Sequence, residues 1–175
     1  MSGLVHIYCG DGKGKTTACV GLAIRQSGIN GAKVLFVQFN KNGNSAEVKV
    51  LKGCEGITYL CAEESFGFSW TMSDEDKKRA TTCYTSLFNQ AIQIATDEHY
   101  NLLVFDEAVS TINNNFISED AMLKFLHNKP EELEVVLSGR EPSDALIGVA
   151  DYVSEIRKIK HPFDQGVSSR KGIEF

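Results

Sequence analysis

Eight residues constrain this chain more than any others: Gly10-Asp11-Gly12-Lys13-Gly14-Lys15-Thr16-Thr17, set directly behind the apolar run Leu4-Val5-His6-Ile7-Tyr8. A strand that empties into a glycine-rich turn ending in Gly-Lys-Thr is the setting of a nucleotide phosphate cradle. Glycines let backbone N–H groups turn inward without steric cost, and the helix that follows points its positive end at the anion. In that setting Lys15 supplies a point charge beside the phosphates and Thr16 a hydroxyl ligand for Mg²⁺. The usual pattern has a glycine five residues before Gly14, and that position is Cys9 here. The loop is therefore one residue short, and a polyphosphate is expected to sit in it differently than in a kinase or phosphohydrolase.

Downstream, apolar strand-like runs alternate with helical patterns. Residues 15–26 read as a helix that stops near Gly28, and Val34-Leu35-Phe36-Val37 as a buried strand followed by a polar loop over residues 40–45. Residues 57–60 are a short strand. From Asp74 to about Thr96 a helical period places Ala80, Tyr84, Leu87, Ala91 and Ile94 on one face. Ser73 is its N-cap, and Asp74, Glu75 and Asp76 occupy the turn where the dipole favours acids. Leu102-Leu103-Val104-Phe105 and Glu134-Val135-Val136-Leu137 are further buried strands, with a helix between them that starts at Ser118-Glu119-Asp120 and ends before Pro130. Tyr152-Val153 lies in a last short strand, and the tail from Lys160 to Phe175 is polar and irregular. Strands apolar on both faces, separated by helices, predict an α/β fold: one domain over residues 1–175 with a mainly parallel sheet flanked by helices.

Bulk properties narrow the partners. A net charge of −5 argues against broad nucleic-acid binding. No apolar run approaches the roughly 20 residues needed to span a bilayer, and no basic segment followed by an apolar core marks a signal peptide. Five cysteines, Cys9, Cys19, Cys54, Cys61 and Cys83, lack Cys-x-x-Cys spacing and read as reduced thiols, small buried hydrophobes in a cytoplasmic protein.

Beyond the loop, Asp106-Glu107 follows a buried strand directly, at the edge of a parallel sheet where ligands bind. With the glycine loop upstream, these carboxylates are expected to hold Mg²⁺ opposite Thr16. Ser138-Gly139-Arg140 brings Arg140 to the same edge, where a guanidinium matches phosphate oxygens and neutralises a departing polyphosphate. Arg25, at the end of the first helix, is either a second phosphate ligand or a cation paired with the helix dipole. Phe66-Gly67-Phe68-Ser69-Trp70 gathers aromatic rings in a loop, as a cap on the core or as a platform for a large flat ligand. His161, before Pro162, reads as structural before it reads as a base or metal ligand. Asn128-Lys129-Pro130-Glu131 is similar to a guanine-reading motif but ends in Glu131, and a helix stop at Pro130 accounts for it more simply.

Taken in order, these segments resemble the P-loop type of ATP:corrinoid adenosyltransferases. The resemblance spans nearly the whole chain. It rests on residues 10–17 with Arg25, Val37-Gln38-Phe39 with Lys41 and Glu47, Gly67-Phe68-Ser69-Trp70 and Val104-Phe105-Asp106-Glu107. Further along it rests on Ser138-Gly139-Arg140, Asp151-Tyr152-Val153-Ser154-Glu155, the run from Lys160 to Gly166, and Gly172-Ile173-Glu174-Phe175. A shortened glycine loop is itself a feature of that family. The resemblance implies a RecA-like P-loop fold in which ATP lies reversed. It also implies transfer of the 5′-deoxyadenosyl group to Co(I) of a corrinoid, with triphosphate released. A Co(I) centre is its own nucleophile, so the protein must place the 5′-carbon and stabilise the leaving group. Phe68 and Trp70 match family residues that close on the lower corrin face and exclude its axial ligand, which eases reduction of Co(II) by an external one-electron reductant. A homodimer is implied as well. Many members carry an N-terminal extension that helps cover the corrinoid, whereas the first strand here begins at Leu4. Asn40, Ser138 and Ser169-Arg170 depart from the family pattern without removing a proposed catalytic group. Two rival readings remain: another P-loop kinase or ATPase, and a non-catalytic carrier of ATP and corrinoid.

Overall fold

A strand with no exposed side chain must run through the middle of a sheet that is covered on both faces. Two strands of the computed structural model do so: β2 (Val34–Gln38) and β4 (Leu102–Asp106) are buried at every residue. The structure describes residues 2–40, 43–64, 66–67 and 69–174, with Trp70 by its backbone alone. The remaining strands are β1 (Val5–Cys9), β3 (Ile57–Cys61), β5 (Glu134–Ser138) and β6 (Tyr152–Glu155). All pair in parallel, in the order β3-β2-β4-β5-β1-β6.

Alternation along each strand divides the apolar residues between two cores. Leu102 and Val104 of β4 point with Val34, Phe36 and Val136 towards α1 (Lys15–Ser27) and α2 (Ala46–Gly53), around Cys19, Ala23 and Leu51. Leu103 and Phe105 point the other way with Leu35, Val37, Val135 and Leu137. There they meet α3 (Asp74–Asp97), α4 (Ala108–Asn113), α5 (Glu119–Asn128) and α6 (Asp144–Val149). The expected α/β architecture, a parallel sheet between two helical layers, is the observed one, and its topology fits a RecA-like P-loop fold.

Local signals act as expected. Ser73 accepts the Asp76 N–H at 3.1 Å and caps α3, whose Ala80, Tyr84, Leu87 and Ala91 are buried. Ser118 caps α5, which ends at Asn128 just before Pro130, so the Asn-Lys-Pro-Glu run is a helix exit. Three short helices, α2, α4 and α6, were not anticipated. Ser69–Thr71, in the segment read as a loop, forms one 3-10 turn. In the tail, His161 Nδ1 accepts the Phe163 N–H at 3.1 Å and caps a second such turn, Pro162–Gln165. All five cysteines are free thiols, with Cys9 and Cys19 buried. Among the described residues no helix is long and apolar enough to cross a membrane.

Candidate active site

Strands β1, β2, β4 and β5 end at one edge of the sheet, and the side chains found there are the ones their sequences place last: Cys9, Gln38, Asp106 and Ser138. Cys9 still belongs to the strand, paired with Glu155 of β6. The turn therefore begins at Gly10, which is the physical origin of the short loop. Gly10 and Gly14 take φ values of 101° and 127°, outside the range of ordinary side chains. Gly12 is required for another reason: a Cβ there would lie 2.6 Å from the Ile156 carbonyl oxygen. The loop is strapped to the chain leaving β6, since Gly12 N–H donates to Ile156 O at 2.7 Å and Lys158 N–H to Asp11 Oδ1 at 2.9 Å. That second bond holds the Asp11 carboxyl below its usual pKa.

Lys15 opens α1 with only 8% of its surface exposed. Its ammonium donates to the carbonyls of Gly10 at 2.8 Å and Gly12 at 2.9 Å. Burial pulls its pKa below the ordinary lysine value, the Glu107 carboxylate opposes that shift, and the Arg140 charge adds to it. Next along the helix, Thr16 Oγ1 donates to both oxygens of Asp106 at 3.1 Å. Strands β1 and β4 are not neighbours, because β5 lies between them. The two side chains meet because β5 ends in the small Ser138, whose hydroxyl donates to Asp106 Oδ1 at 2.6 Å and accepts the Glu107 N–H at 2.9 Å. Glu107 itself sits in the left-handed region at φ 64°. Such a conformation costs a non-glycine residue on the order of 1 kcal/mol and collects at functional sites. The Glu107 side chain accepts from Ser110 Oγ at 2.8 Å.

A cleft of about 740 Å³ opens over the loop, floored by residues 11–17. Glu107 and Arg140 stand at its sheet side, and Ala46, Glu47 and Val50 of α2 form a wall. His161, Gly172, Ile173 and Glu174 bring the tail over it. Glu174 is clasped by Arg170 through its backbone N–H at 2.8 Å and its guanidinium at 2.9 Å, which lowers the carboxyl to a pKa of about 2. Arg140 and Asp11 also line a smaller hollow of about 510 Å³ on the outer side of the loop, where Gly10 lies.

The structure thus gathers Asp11, Gly12, Lys13, Gly14, Lys15, Thr16, Thr17, Glu107 and Arg140 around one cleft, with Asp106 buried behind Thr16. Arg25 stands apart in the last turn of α1, about 15 Å along the helix from Lys15. It is exposed, outside the cleft lining, and near enough to Tyr8 to influence its hydroxyl. Lys41, Phe68 and Phe175 lie outside the described residues, as does the ring of Trp70. Gln38 and Ser138 were missed as site residues. Each is a polar residue directly behind an apolar run, residues 34–37 and 135–137, and that pattern alone does not set either one beside Asp106.

The donor set suits Mg²⁺. Among the described residues no three or more His, Cys, Asp or Glu side chains are grouped to hold a metal. Mg²⁺ asks for less, one or two carboxylates beside substrate phosphates, and Asp106, Glu107 and Thr16 are the residues here that could hold it.

Known proteins are similar to this chain over nearly its whole length. A corrinoid adenosyltransferase of Sinorhizobium sp. is 31% identical over 175 residues, covering 99% of this chain and 80% of that protein. Another from Pseudomonas aeruginosa is 30% identical over 99% of this chain and 84% of its own length. The Escherichia coli K12 corrinoid adenosyltransferase is 28% identical over 99% and 86%. Among solved structures, Thermomonospora curvata EccC (ATPases 2 and 3, with a signal sequence peptide) superposes with a TM-score of 0.53 at 14% identity. That match covers 94% of this chain but only 33% of the EccC chain, and it speaks to the fold alone. The profile of the ATP:corrinoid adenosyltransferase BtuR/CobO/CobP family matches residues 1–175, and the chain belongs to that family.

Proposed function

We infer that this protein transfers the 5′-deoxyadenosyl group of ATP to the cobalt of a corrinoid and releases triphosphate. The observation that carries the reading is the contact of Thr16 with Asp106 behind a short glycine loop, in a chain of this family. The bond that breaks joins C5′ to the triphosphate oxygen, and the one that forms joins C5′ to cobalt. The protein's part is to place that carbon and stabilise the leaving anion.

In this reading the amides of residues 10–17, the Lys15 ammonium and the Arg140 guanidinium hold the triphosphate. Thr16, Asp106 and Glu107 hold Mg²⁺, which neutralises part of the polyphosphate charge when bound. Phe68 and Trp70 cover the lower corrin face and keep the axial ligand away. Arg25 takes the helix-end role in its own chain, since it stands outside the cleft. An external one-electron reductant supplies Co(I), and the protein works as a cytoplasmic homodimer without nucleic-acid or membrane partners.

Incubation with chemically reduced cobalamin, ATP and Mg²⁺ tests the proposal. The expected result is the spectrum of the adenosylated product with triphosphate recovered intact. Orthophosphate without a spectral change would point to a kinase or ATPase. Binding of both substrates with no product would leave a carrier.

A further inference from the structure

Four side chains from adjacent strands form a hydrogen-bonded row on one face of the sheet at its carboxyl edge. Tyr59 of β3, Gln38 of β2, Asp106 of β4 and Ser138 of β5 share that face with Ile57, Phe36, Val104 and Val136, two residues earlier in each strand. Gln38 lies in register with Asp106 and is fully buried. A buried amide in an apolar strand is costly unless its donors and acceptor are used. Here each is used. Tyr59 Oη donates to Gln38 Oε1 at 2.8 Å, while Gln38 Nε2 donates to Asp106 Oδ2 at 3.0 Å and Glu47 Oε1 at 3.2 Å. The orientation of the amide follows from its neighbours, a hydroxyl on one side and two carboxylates on the other. With Thr16 and Ser138 donating as well, Asp106 is met by donors from three directions.

We propose that Gln38, oriented by Tyr59, is a positioning residue that sets the Asp106 carboxylate for the metal of bound metal–ATP and ties it to Glu47 on the wall of the cleft. The proposal rests on the reading of Asp106 as a metal-facing carboxylate. Carboxylates around a metal act in the orientation their own hydrogen bonds give them, and loss of such a partner costs roughly 10- to 100-fold in metal affinity. Gln38 does this at two points. One N–H fixes Asp106 on the sheet, and the other fixes Glu47 in the first turn of α2, beside Ala46 and Val50 of the cleft wall. Tyr59 is the outer end of the row and lies away from the cleft lining, so its hydroxyl reaches Asp106 by way of Gln38.

The test uses Mn²⁺ as a spectroscopic probe, titrated into the full-length protein with ATP and without corrinoid and followed by electron paramagnetic resonance. Gln38→Met keeps the volume and removes the donors, and Tyr59→Phe removes one hydroxyl. The expected result is a Mn²⁺ dissociation constant raised roughly 10- to 100-fold in Gln38→Met and raised less in Tyr59→Phe, with metal-free ATP affinity within about twofold of wild type in both. A lower melting temperature with unchanged Mn²⁺ affinity would reduce the row to structural support and overturn the proposal. Should Gln38→Met fail to fold, Tyr59→Phe decides by the same criterion. Asp106→Asn separates the two levels of inference. If it weakens Mn²⁺ binding while the other variants do not, the positioning role alone falls. If it too leaves Mn²⁺ binding unchanged, the metal reading of Asp106 falls with it.

Discussion

Replacing Lys15 by methionine should separate stability from ligand binding. The ammonium is almost fully buried, and among the described residues it donates to two loop carbonyls at 2.8 and 2.9 Å. Burial depresses its pKa, so the bare protein holds this cation at a disadvantage that the carbonyls only partly offset. Methionine gives up both hydrogen bonds but also removes a desolvated charge, and such exchanges come out near neutral, within about 1–2 kcal/mol. With ATP the balance changes, because a polyphosphate supplies the counter-charge. Losing one charge-assisted contact there costs about 2–3 kcal/mol, on the order of 100-fold in affinity. At MgATP equal to 100 times the wild-type Kd, binding stabilises wild type by about 2.7 kcal/mol; a 100-fold weaker variant keeps about 0.4 kcal/mol. For a domain of this size each kcal/mol moves Tm by about 2–4 °C. Thermal melts should therefore show wild type gaining about 5–11 °C with MgATP and Lys15→Met about 1–2 °C, from similar starting points. A variant that kept the full ATP-dependent shift would remove Lys15 from the phosphate site. One that lost several kcal/mol before ATP was added would make Lys15 a strut for the loop.

Gly12→Ala places a Cβ 2.6 Å from the Ile156 oxygen, so the loop or the chain leaving β6 must move. The expected cost is about 1–3 kcal/mol, seen as a lower Tm together with a reduced MgATP shift. Phe68→Ala/Trp70→Ala should slow adenosylation from Co(II) with a mild reductant while retaining much of the rate from pre-formed Co(I), at unchanged ATP affinity. Equal behaviour in both assays would return the rings to core packing. The Arg170–Glu174 clasp should be fully present above the ordinary carboxyl value near 4.5 and lost as pH falls through about 2, because the folded pKa is the lower one. A carbon-13 titration of the Glu174 carboxyl checks this, and Arg170→Ala should move the midpoint back towards 4.5.

How far the fold could be read depended on how long each signal ran. The central strands announced themselves as uninterrupted apolar runs, and α3 carried 24 residues of period with a serine cap. The helices that escaped were short: α2 has 8 residues, α4 and α6 have 6 each. Over so few residues a helical period barely repeats. Moreover, α4 starts directly after β4 through left-handed Glu107, with no glycine, proline or capping serine to mark the change. At the site, Lys15, Thr16 and Asp106 were legible because their local patterns carry chemistry. Gln38 and Ser138 were not, because each matters only through the register that sets it beside Asp106. Arg25 shows the converse, since a residue ten positions beyond Lys15 on a helix is carried away from the loop by geometry alone.

The arrangement of the acids bears on what kind of catalysis the cleft supports. A general base needs a lone pair aimed at a substrate proton. Around this loop the carboxylates are instead held by neighbouring donors: Asp106 by Thr16, Gln38 and Ser138, Glu107 by Ser110, Glu47 by Gln38, and Glu174 by Arg170. Groups so engaged fix charge in space more readily than they move protons. The cations divide in the same sense, with Lys15 under the loop and Arg140 at its side, where a developing polyanion would lie between them. Adenosyl transfer to cobalt asks for this division of labour, because the nucleophile arrives with the corrinoid and the leaving group departs as an anion that needs no proton. A hydrolase built on the same loop would need, in addition, a side chain to orient water. The acid that lines the cleft at the sheet edge, Glu107, already accepts from Ser110, and Asp106 behind it is fully buried among donors.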